Sequence, residues 1–349
     1  MTQIAAGQVQ SVLGPVSPED LGITMMHEHL FIDLRQVFVE PDDPAELAWG
    51  HAPLSIENLS WTVMNWCKCE DNLVLDDADL AIKEAMIFKH AGGGTLVDVT
   101  NVGLGRQPTQ LRRISEETGL NIVMGASYYH ALFHPPGTDD KTEEQICEEI
   151  VTDLTEGVDE TGVCAGIIGE VGCTWPLHPN EGKVLRASAR AQQRTGAPIT
   201  IHPGLHVDSP VQIIEELVAA GAQADRIVMG HIERTGFNRE QLLNLAKTGC
   251  YLEFDWFGEV RPSFPYGIVN VPSDGERLEA IAFLISEGYG DRVLISQDVC
   301  FKTRLAAFGG PGYGHIPRYV QGWMRAMRFS ESAIEGVLVG NPRRVLQFV

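Results

Sequence analysis

Two histidines one residue apart, His27 and His29, close the run GITMMHEH at residues 22–29. In an extended strand, residues i and i+2 share a face, so both imidazoles would point the same way. Taken alone, an H-x-H pair is as consistent with packing as with chemistry. Four further residues change that reading: Glu170 ends GIIGE, His202 ends PITIH, His231 ends RIVMGH and Asp298 ends LISQD. Each closes a short apolar run that reads as a strand, the position where barrel enzymes carry their reacting groups. Four imidazoles and two carboxylates so near a core are costly unless they are paired or bound to metal. Six such ligands suit two divalent ions, with Glu170 bridging them and a hydroxide as the second bridge. Zn is the expected metal, and Mn, Co and Fe accept the same ligands. The chemistry of that set is hydrolysis by an activated water, with Asp298 both ligand and base.

To meet, these residues need eight strands and their crossovers. Apolar runs at 22–29, TLVDVT (95–100), NIVMGASYY (121–129), AGIIGEVG (165–172), PITIHPG (198–204), RIVMGH (226–231), YLEFD (251–255) and RVLISQD (292–298) supply eight candidates. Between them lie helical patterns such as 76–93, 142–157, 209–222 and 275–290, several closing on a glycine suited to a left-handed cap. Strand, helix, strand at this rhythm implies right-handed βαβ units and a parallel sheet. Eight units favour the α/β class and a (β/α)8 TIM barrel, a single domain over residues 1–349. No G-x-G-x-x-G follows the first strand and no P-loop appears, which removes the case for a doubly wound nucleotide-binding sheet. The segment 32–61, rich in Pro and Trp, reads as a long loop at the barrel mouth, not a domain.

Composition fits an enzyme and excludes other classes. With 44% hydrophobic and 21% charged residues, the chain lies within the globular range. Its 47 acids against 26 bases give a formal charge of −21, and the acids are scattered, which argues against nucleic-acid and anionic-membrane partners. Seven irregularly spaced cysteines are no disulfide framework, and the C-x-C pair Cys67 and Cys69 lacks a second pair for a structural zinc site. The opening MTQIAAGQVQSVLGPV has neither a basic n-region nor a continuous apolar h-region, and nowhere do 18 apolar residues run together. The expectation is a soluble, cytoplasmic protein acting on a small molecule.

The ligand order H-x-H, Glu, His, His, Asp resembles the amidohydrolase superfamily. The wording around it, from GQVQSVLGPVSPEDLGITMMHEHL through GIIGEVGCTWPL, GHIERT, GCYLEFDWFG and GGPGYGHI to VGNPRRVLQF, resembles the phosphotriesterase family and its phosphotriesterase-related branch. That resemblance implies His27, His29 and Asp298 on a more buried metal, His202 and His231 on a more exposed one, and Glu170 between them. Many phosphotriesterases bridge the metals with a carboxylated lysine; with Glu at 170 and Lys183 too far beyond strand 4, none is expected here. The family also implies a homodimer.

Several residues around the centre carry open alternatives. True phosphotriesterases have a relay histidine after strand 7, which YLEFDWFGEV lacks; Glu233 matches an acid of that relay, or else pairs with Arg234. Arg234 either recognises an anionic substrate in two-point fashion or forms an ion pair with Glu233 or Asp255. Tyr128 and Tyr129 end strand 3, and alternation puts one of them in the core. Branch members carry Arg where this chain has Leu205; His206 is the partial replacement, and the change counts against a small anionic substrate such as an N-acetylated amino-sulfonate. Trp256, Phe257 and residues 260–271 would wall an apolar pocket. Of His51, His90, His130, His134, His178 and His315, only His130 and His134 are candidates to touch substrate. The glycines of GGPGYGHI suggest a conformable lip or a close backbone approach.

The reading is a binuclear metal-dependent hydrolase of a carboxylic amide, ester or lactone, such as an N-acyl amino acid. Phosphotriester hydrolysis is the alternative within the same chemistry, and a metal-bearing small-molecule binder without turnover is the alternative from another class.

Overall fold

In the computed structural model, residues 4–349 are described apart from 236–237, 260, 262 and 265–267. Eight strands run in chain order around one sheet: β1 (Ile23–Glu28), β2 (Gly93–Asp98), β3 (Asn121–Ala126), β4 (Ile167–Gly172), β5 (Ile199–His202), β6 (Ile227–Met229), β7 (Tyr251–Phe254) and β8 (Val293–Ile295). Every neighbouring pair is parallel. The last strand meets the first through a side chain. The Ser296 hydroxyl accepts the His27 N–H and lies 2.9 Å from the His27 carbonyl, and the Asp298 N–H donates to that carbonyl at 3.1 Å. The expected (β/α)8 barrel is thus the fold, with one serine standing where ladder bonds would be.

Alternation along the strands separates two apolar layers. Val97, Val123, Ile167, Val228 and Leu294 pack inside the barrel with Val9, Leu21, Val345 and Leu346. The neighbouring residues, among them Leu96, Ile122, Ile168, Ile227 and Val293, join the larger core beneath the helices. An N-terminal hairpin, Val9–Ser11 with Gly14–Val16, brings Val9 to the inner layer.

Seven crossover helices follow: α1 (Ala78–His90), α2 (Pro108–Thr118), α3 (Glu143–Thr155), α4 (Pro179–Thr195), α5 (Ser209–Ala219), α6 (Arg239–Ala246) and α7 (Asp274–Ser286). Their starts are chemically marked. Thr142 and Ser273 form capping boxes with Gln145 and Glu276. Glycines at 92, 157, 221 and 288, just past four helices, take positive φ where a Cβ would be strained. The α4 start has a wider role: the buried Glu181 carboxylate accepts N–H bonds from Ala131 and Thr174, at 2.9 and 2.8 Å, and so fastens the loop after β3 to the loop after β4.

The mouth segment is longer and more ordered than a loop at 32–61. Residues 29–77 leave β1, pair Ile32–Asp33 with Val74–Leu75, and carry two short helices, Leu47–Gly50 and Leu59–Met64. Lys302 and Thr303, after β8, bind Asp71 and Asn72 at its far end. Among the described residues no helix is long and apolar enough to cross a membrane. Cys67 and Cys69 are buried, unlinked thiols.

Candidate active site

All six residues singled out by the strand-end pattern meet at the carboxyl end of the barrel. Glu170 is their centre. Its Oε2 lies 3.4 Å from His27 Nε2, 3.0 Å from His202 Nδ1 and 3.5 Å from His231 Nε2, while its Oε1 lies 3.4 Å from His29 Nε2. Asp298 Oδ1 stands 3.4 Å from His29 Nε2 and 3.9 Å from His27 Nε2. His202 Nδ1 and His231 Nε2 approach to 2.8 Å.

The backbone does what simple alternation could not. Only His202 is the last residue of its strand. His231 and Asp298 lie two and three residues past the ladders of β6 and β8, at φ of 52° and 51°. These left-handed turns fold each side chain back over the mouth, a strain of about 1–3 kcal/mol each that the surroundings must hold. Asp255 holds one of them, accepting the His231 N–H and bonding His231 Nδ1, both at 2.8 Å. In β1 the register shifts between Met25 and Glu28, and the strand ends at Glu28, with His27 inside it and His29 just beyond. Thr100 fixes the His29 ring at 2.8 Å and donates to the Phe31 carbonyl. Glu170 follows Gly169, where a Cβ would meet the Thr200 carbonyl at 2.2 Å.

These donors fit a divalent-ion centre. Both His27 ring nitrogens are fully buried without a hydrogen-bond partner, although carboxylates stand 3.4 Å away on either side. Burial disfavours a charge on His29 and His231, yet Asp298 and Glu170 raise the first to about 9 and Asp255 raises the second to about 9. Burial pushes Glu170 up, but His27 and His202 hold it well below the carboxylate range. The carboxylates therefore demand positive charge at the point where the imidazole nitrogens converge, which is what a metal ion supplies. Three compact donor groups share His27: one with Glu170 and His231, one with His29 and Asp298, and one with Glu253 and Asp255. Lys183 is engaged elsewhere, donating to the carbonyls of Thr138, Asp139 and Lys141.

A cavity of about 480 Å³ opens over this cluster. Tyr129, Arg234 and Trp256 line it, as does His130. The Tyr129 hydroxyl lies 3.1 Å from His202 Nδ1, and Arg234 Nη1 lies 2.9 Å from His202 Nε2 with its guanidinium 5.9 Å from the Trp256 ring. Among the described residues Arg234 has no carboxylate partner, which removes the expected ion pair with Glu233 or Asp255.

Three other candidates lie outside the cavity. Tyr128 points between helices, its hydroxyl bonded to Glu149 and accepting from Lys141 at 2.9 Å. The strand ends at Ala126, and Ser127 at a φ of 77° resets which tyrosine faces the mouth. His206 stacks on Trp175 at 4.4 Å and accepts the Asp208 N–H, one position beyond the lining residue Leu205. Glu233 is buried behind the site, accepting from the Trp256 N–H at 3.1 Å and from Arg277 Nε at 2.9 Å. Burial and Asp255 raise its carboxyl, and Arg277 opposes them. It neither pairs with Arg234 nor faces the cavity, because Ile232–Thr235 is a helical turn that carries it away from His231. In GGPGYGHI buried Tyr313 donates to the His29 carbonyl at 2.6 Å and braces the histidine pair from behind, and Gly310 makes the close backbone approach, where a Cβ would meet the Thr303 carbonyl at 2.4 Å. Most of the 260–271 wall falls outside the residues whose side chains are described.

The sequence reading placed Arg261 within the 260–271 wall and Asp255 only as an ion-pair partner, and it passed over Glu253 and the cavity residues Trp66, Glu259 and Arg304. Asp255 carried the same signal as the ligands, an acid closing an apolar run. The others are joined only by tertiary structure.

With fold and centre described, the class is defined: residues 7–346 match the sequence profile of the phosphotriesterase family, and the chain belongs to that family of metal-dependent hydrolases. It is 41% identical to an N-acetyltaurine hydrolase of Xenopus tropicalis, over 98% of this chain and 99% of the relative. Among solved structures it is similar to a resiniferatoxin-binding protein from Rhodobacter sphaeroides, with a TM-score of 0.95 and 37% identity over 99% and 96% of the two chains. It is also similar to a lactonase from Listeria monocytogenes, with a TM-score of 0.79 and 25% identity over 98% and 99%.

Proposed function

We propose that this protein hydrolyses the amide bond of a small N-acyl amino acid or N-acyl amino-sulfonate. The observation that carries the reading is the convergence of four imidazoles and two carboxylates at the floor of a cavity that also presents arginine side chains. The name borne by relatives of nearly full-length coverage supports the amide over other acyl bonds. His27, His29, Glu170, His202, His231 and Asp298 would hold two divalent ions, in our reading zinc, which when bound lower the pKa of a water and polarise a carbonyl oxygen.

The protein's own groups do the rest. Asp298 accepts the proton of the attacking water and returns it to the leaving nitrogen, so that the amide and water become a carboxylic acid and an amine. Tyr129 offers a hydroxyl beside His202 to a substrate oxygen bound there, and Trp256 closes the adjoining wall. A lactone is a second substrate to try, because a structural neighbour is a lactonase and an alkoxide leaves with less help than an amine.

The test pairs metal content with turnover on N-acyl amino acids, N-acyl amino-sulfonates, lactones, aryl esters and a phosphotriester. About two metals per chain in the native protein, with both metal and amide turnover lost in Glu170→Ala, is the expected result. Turnover of the phosphotriester alone would replace the substrate class. Tight binding of these compounds by metal-loaded protein without any product would favour the binder, a reading to which the name of the Rhodobacter neighbour lends some support.

A further inference from the structure

Three loops of the barrel mouth are clamped together beside the metal centre. Glu181 accepts the Ala131 N–H, after β3, at 2.9 Å and the Thr174 N–H, after β4, at 2.8 Å. The loop after β5 lies against the second of these, since a Cβ on Gly204 would meet the Thr174 carbonyl carbon at 2.5 Å. The Cys173 N–H donates to the His202 carbonyl at 2.8 Å and joins the same two loops. At each clamp the next residue is a large apolar one that lines the cavity and faces solvent: Leu132 is 54% exposed, Trp175 36% and Leu205 38%. Trp175 is itself held flat, its indole stacked 4.4 Å from the His206 ring with 4° between the planes.

A rigid apolar shelf open to water is costly, and apolar matter laid over it removes the cost. Side chains fixed in advance also lose little freedom when a ligand covers them. The charged cavity residues beyond the metal centre stand elsewhere: among the described residues Arg234 follows β6, Glu259 and Arg261 follow β7, and Arg304 follows β8. The shelf is close to the chemistry, because Leu205 is three residues past His202, a span of at most about 11 Å. Strand order decides which end of a substrate meets it. Asp298, which returns a proton to the leaving nitrogen, follows β8, and β4 is the strand opposite β8 in an eight-stranded barrel. The leaving amine therefore turns to the Asp298 side, and the acyl group is left to the loops after β3, β4 and β5.

We propose that Leu132, Trp175 and Leu205 form the subsite for the acyl chain of the substrate, and that this chain is apolar and about six to eight carbons long, the reach from the metal centre to the shelf. This rests on the amide-hydrolase reading and adds the acyl class. An acetyl group over the metal centre stops short of the shelf, whereas a longer chain lies along it. The cavity of about 480 Å³ falls in the range of about 300–1,000 Å³ that encloses drug-sized ligands, room that an N-acetyl amino acid does not need.

The experiment offers N-acetyl-, N-butanoyl-, N-hexanoyl- and N-octanoylglycine to wild type, Leu132→Asp and Leu205→Asp, all first checked for metal content and thermal unfolding. N-acetyl-2-aminooctanoate serves as the arm that places the added carbons on the amine side instead. A methylene buried on all sides is worth about fourfold and one covered on a single face about twofold, so octanoyl, about six methylenes longer, should exceed acetyl about 60-fold in wild-type kcat/KM. In each variant a carboxylate stands against the chain, and the ratio should fall at least about tenfold. Because the readout is a ratio within one protein, general loss of structure or metal does not mimic it. A wild-type ratio below about threefold, or ratios in both variants within about threefold of wild type, overturns the subsite while leaving the amide reading intact. A gain confined to the 2-aminooctanoate arm overturns it too, by giving the shelf to the leaving group. If wild type cleaves no amide of the panel, the amide reading has failed, and calorimetric binding of octanoate against acetate decides the subsite separately. Octanoate bound more tightly by wild type, with that advantage lost in both variants, supports the shelf, and any other pattern overturns it.

Discussion

Asp255 shows how much of a centre lies behind the residues that face its cavity. It bonds His231 Nδ1 and the His231 backbone N–H, and stands 3.4 Å from His27 Nδ1, so one carboxylate sets two rings that face Glu170. Removing such an outer partner costs about 10–100-fold in metal affinity or activity. Asp255→Asn should lower metal retention against a chelator by that factor, as measured by metal analysis after dialysis; unchanged retention would assign the residue to packing alone. At this scale the sequence was a good guide to identity and a poor one to direction. His27, Glu170 and Asp298 were legible because charged groups rarely close apolar runs without a task. Tyr128 misled because alternation holds only inside a strand, and Ser127 breaks it with a left-handed backbone; Glu233, taken from the family resemblance, is carried away from the cavity by the helical turn Ile232–Thr235.

Ser296 is the element-scale counterpart, a hydroxyl that joins β8 to β1 and also bonds the buried Glu28 carboxylate at 2.7 Å. Ser296→Ala leaves a buried N–H and carboxylate short of a partner, so a loss of about 1–3 kcal/mol is expected by denaturant titration. A loss under about 0.5 kcal/mol would mean the barrel closes by other means. The loops after β7 and β8 are joined by charge. Burial alone would raise the Glu259 carboxyl, but Arg261 and Arg304 hold it at about 2, below the ordinary 4.5. A carboxyl lowered on folding contributes fully above the unfolded value and loses that contribution as pH falls from about 4.5 to about 2. The shift corresponds to about 3 kcal/mol. Thermal unfolding of Glu259→Gln should therefore depend less steeply on pH across that window than wild type, and parallel curves would remove Glu259 from the acid limb. No local pattern in the sequence announced either join, since Ser296 and His27 are 269 residues apart and Arg304 meets Glu259 only across two loops.

For the molecule as a whole, the barrel was legible because its signals are repetitive: eight apolar runs, helices opened by caps and closed by glycines, and no competing nucleotide motif. The mouth was less so, since 29–77 uses short helices and a two-residue strand pair that carry no period of their own. A centre that draws the ends of five strands together around converging carboxylates and imidazoles would make a bound metal a stabilising ligand of the entire fold. Saturating divalent ion at 100 to 1,000 times its Kd should add about 2.7–4.1 kcal/mol. Chelation should lower Tm accordingly and readdition restore it; a Tm indifferent to chelator, with metal shown to be gone, would separate folding from the centre.

The mouth loops are not independent. Glu181 ties the loop after β3 to the loop after β4, Arg304 spans those after β7 and β8, and Lys302 and Thr303 carry the last of these to Asp71 and Asn72. For the evolutionary history of such a scaffold this coupling acts as a constraint: an insertion in one loop strains its partner, so new specificities are reached by paired changes, and descendants should differ in tied loops together.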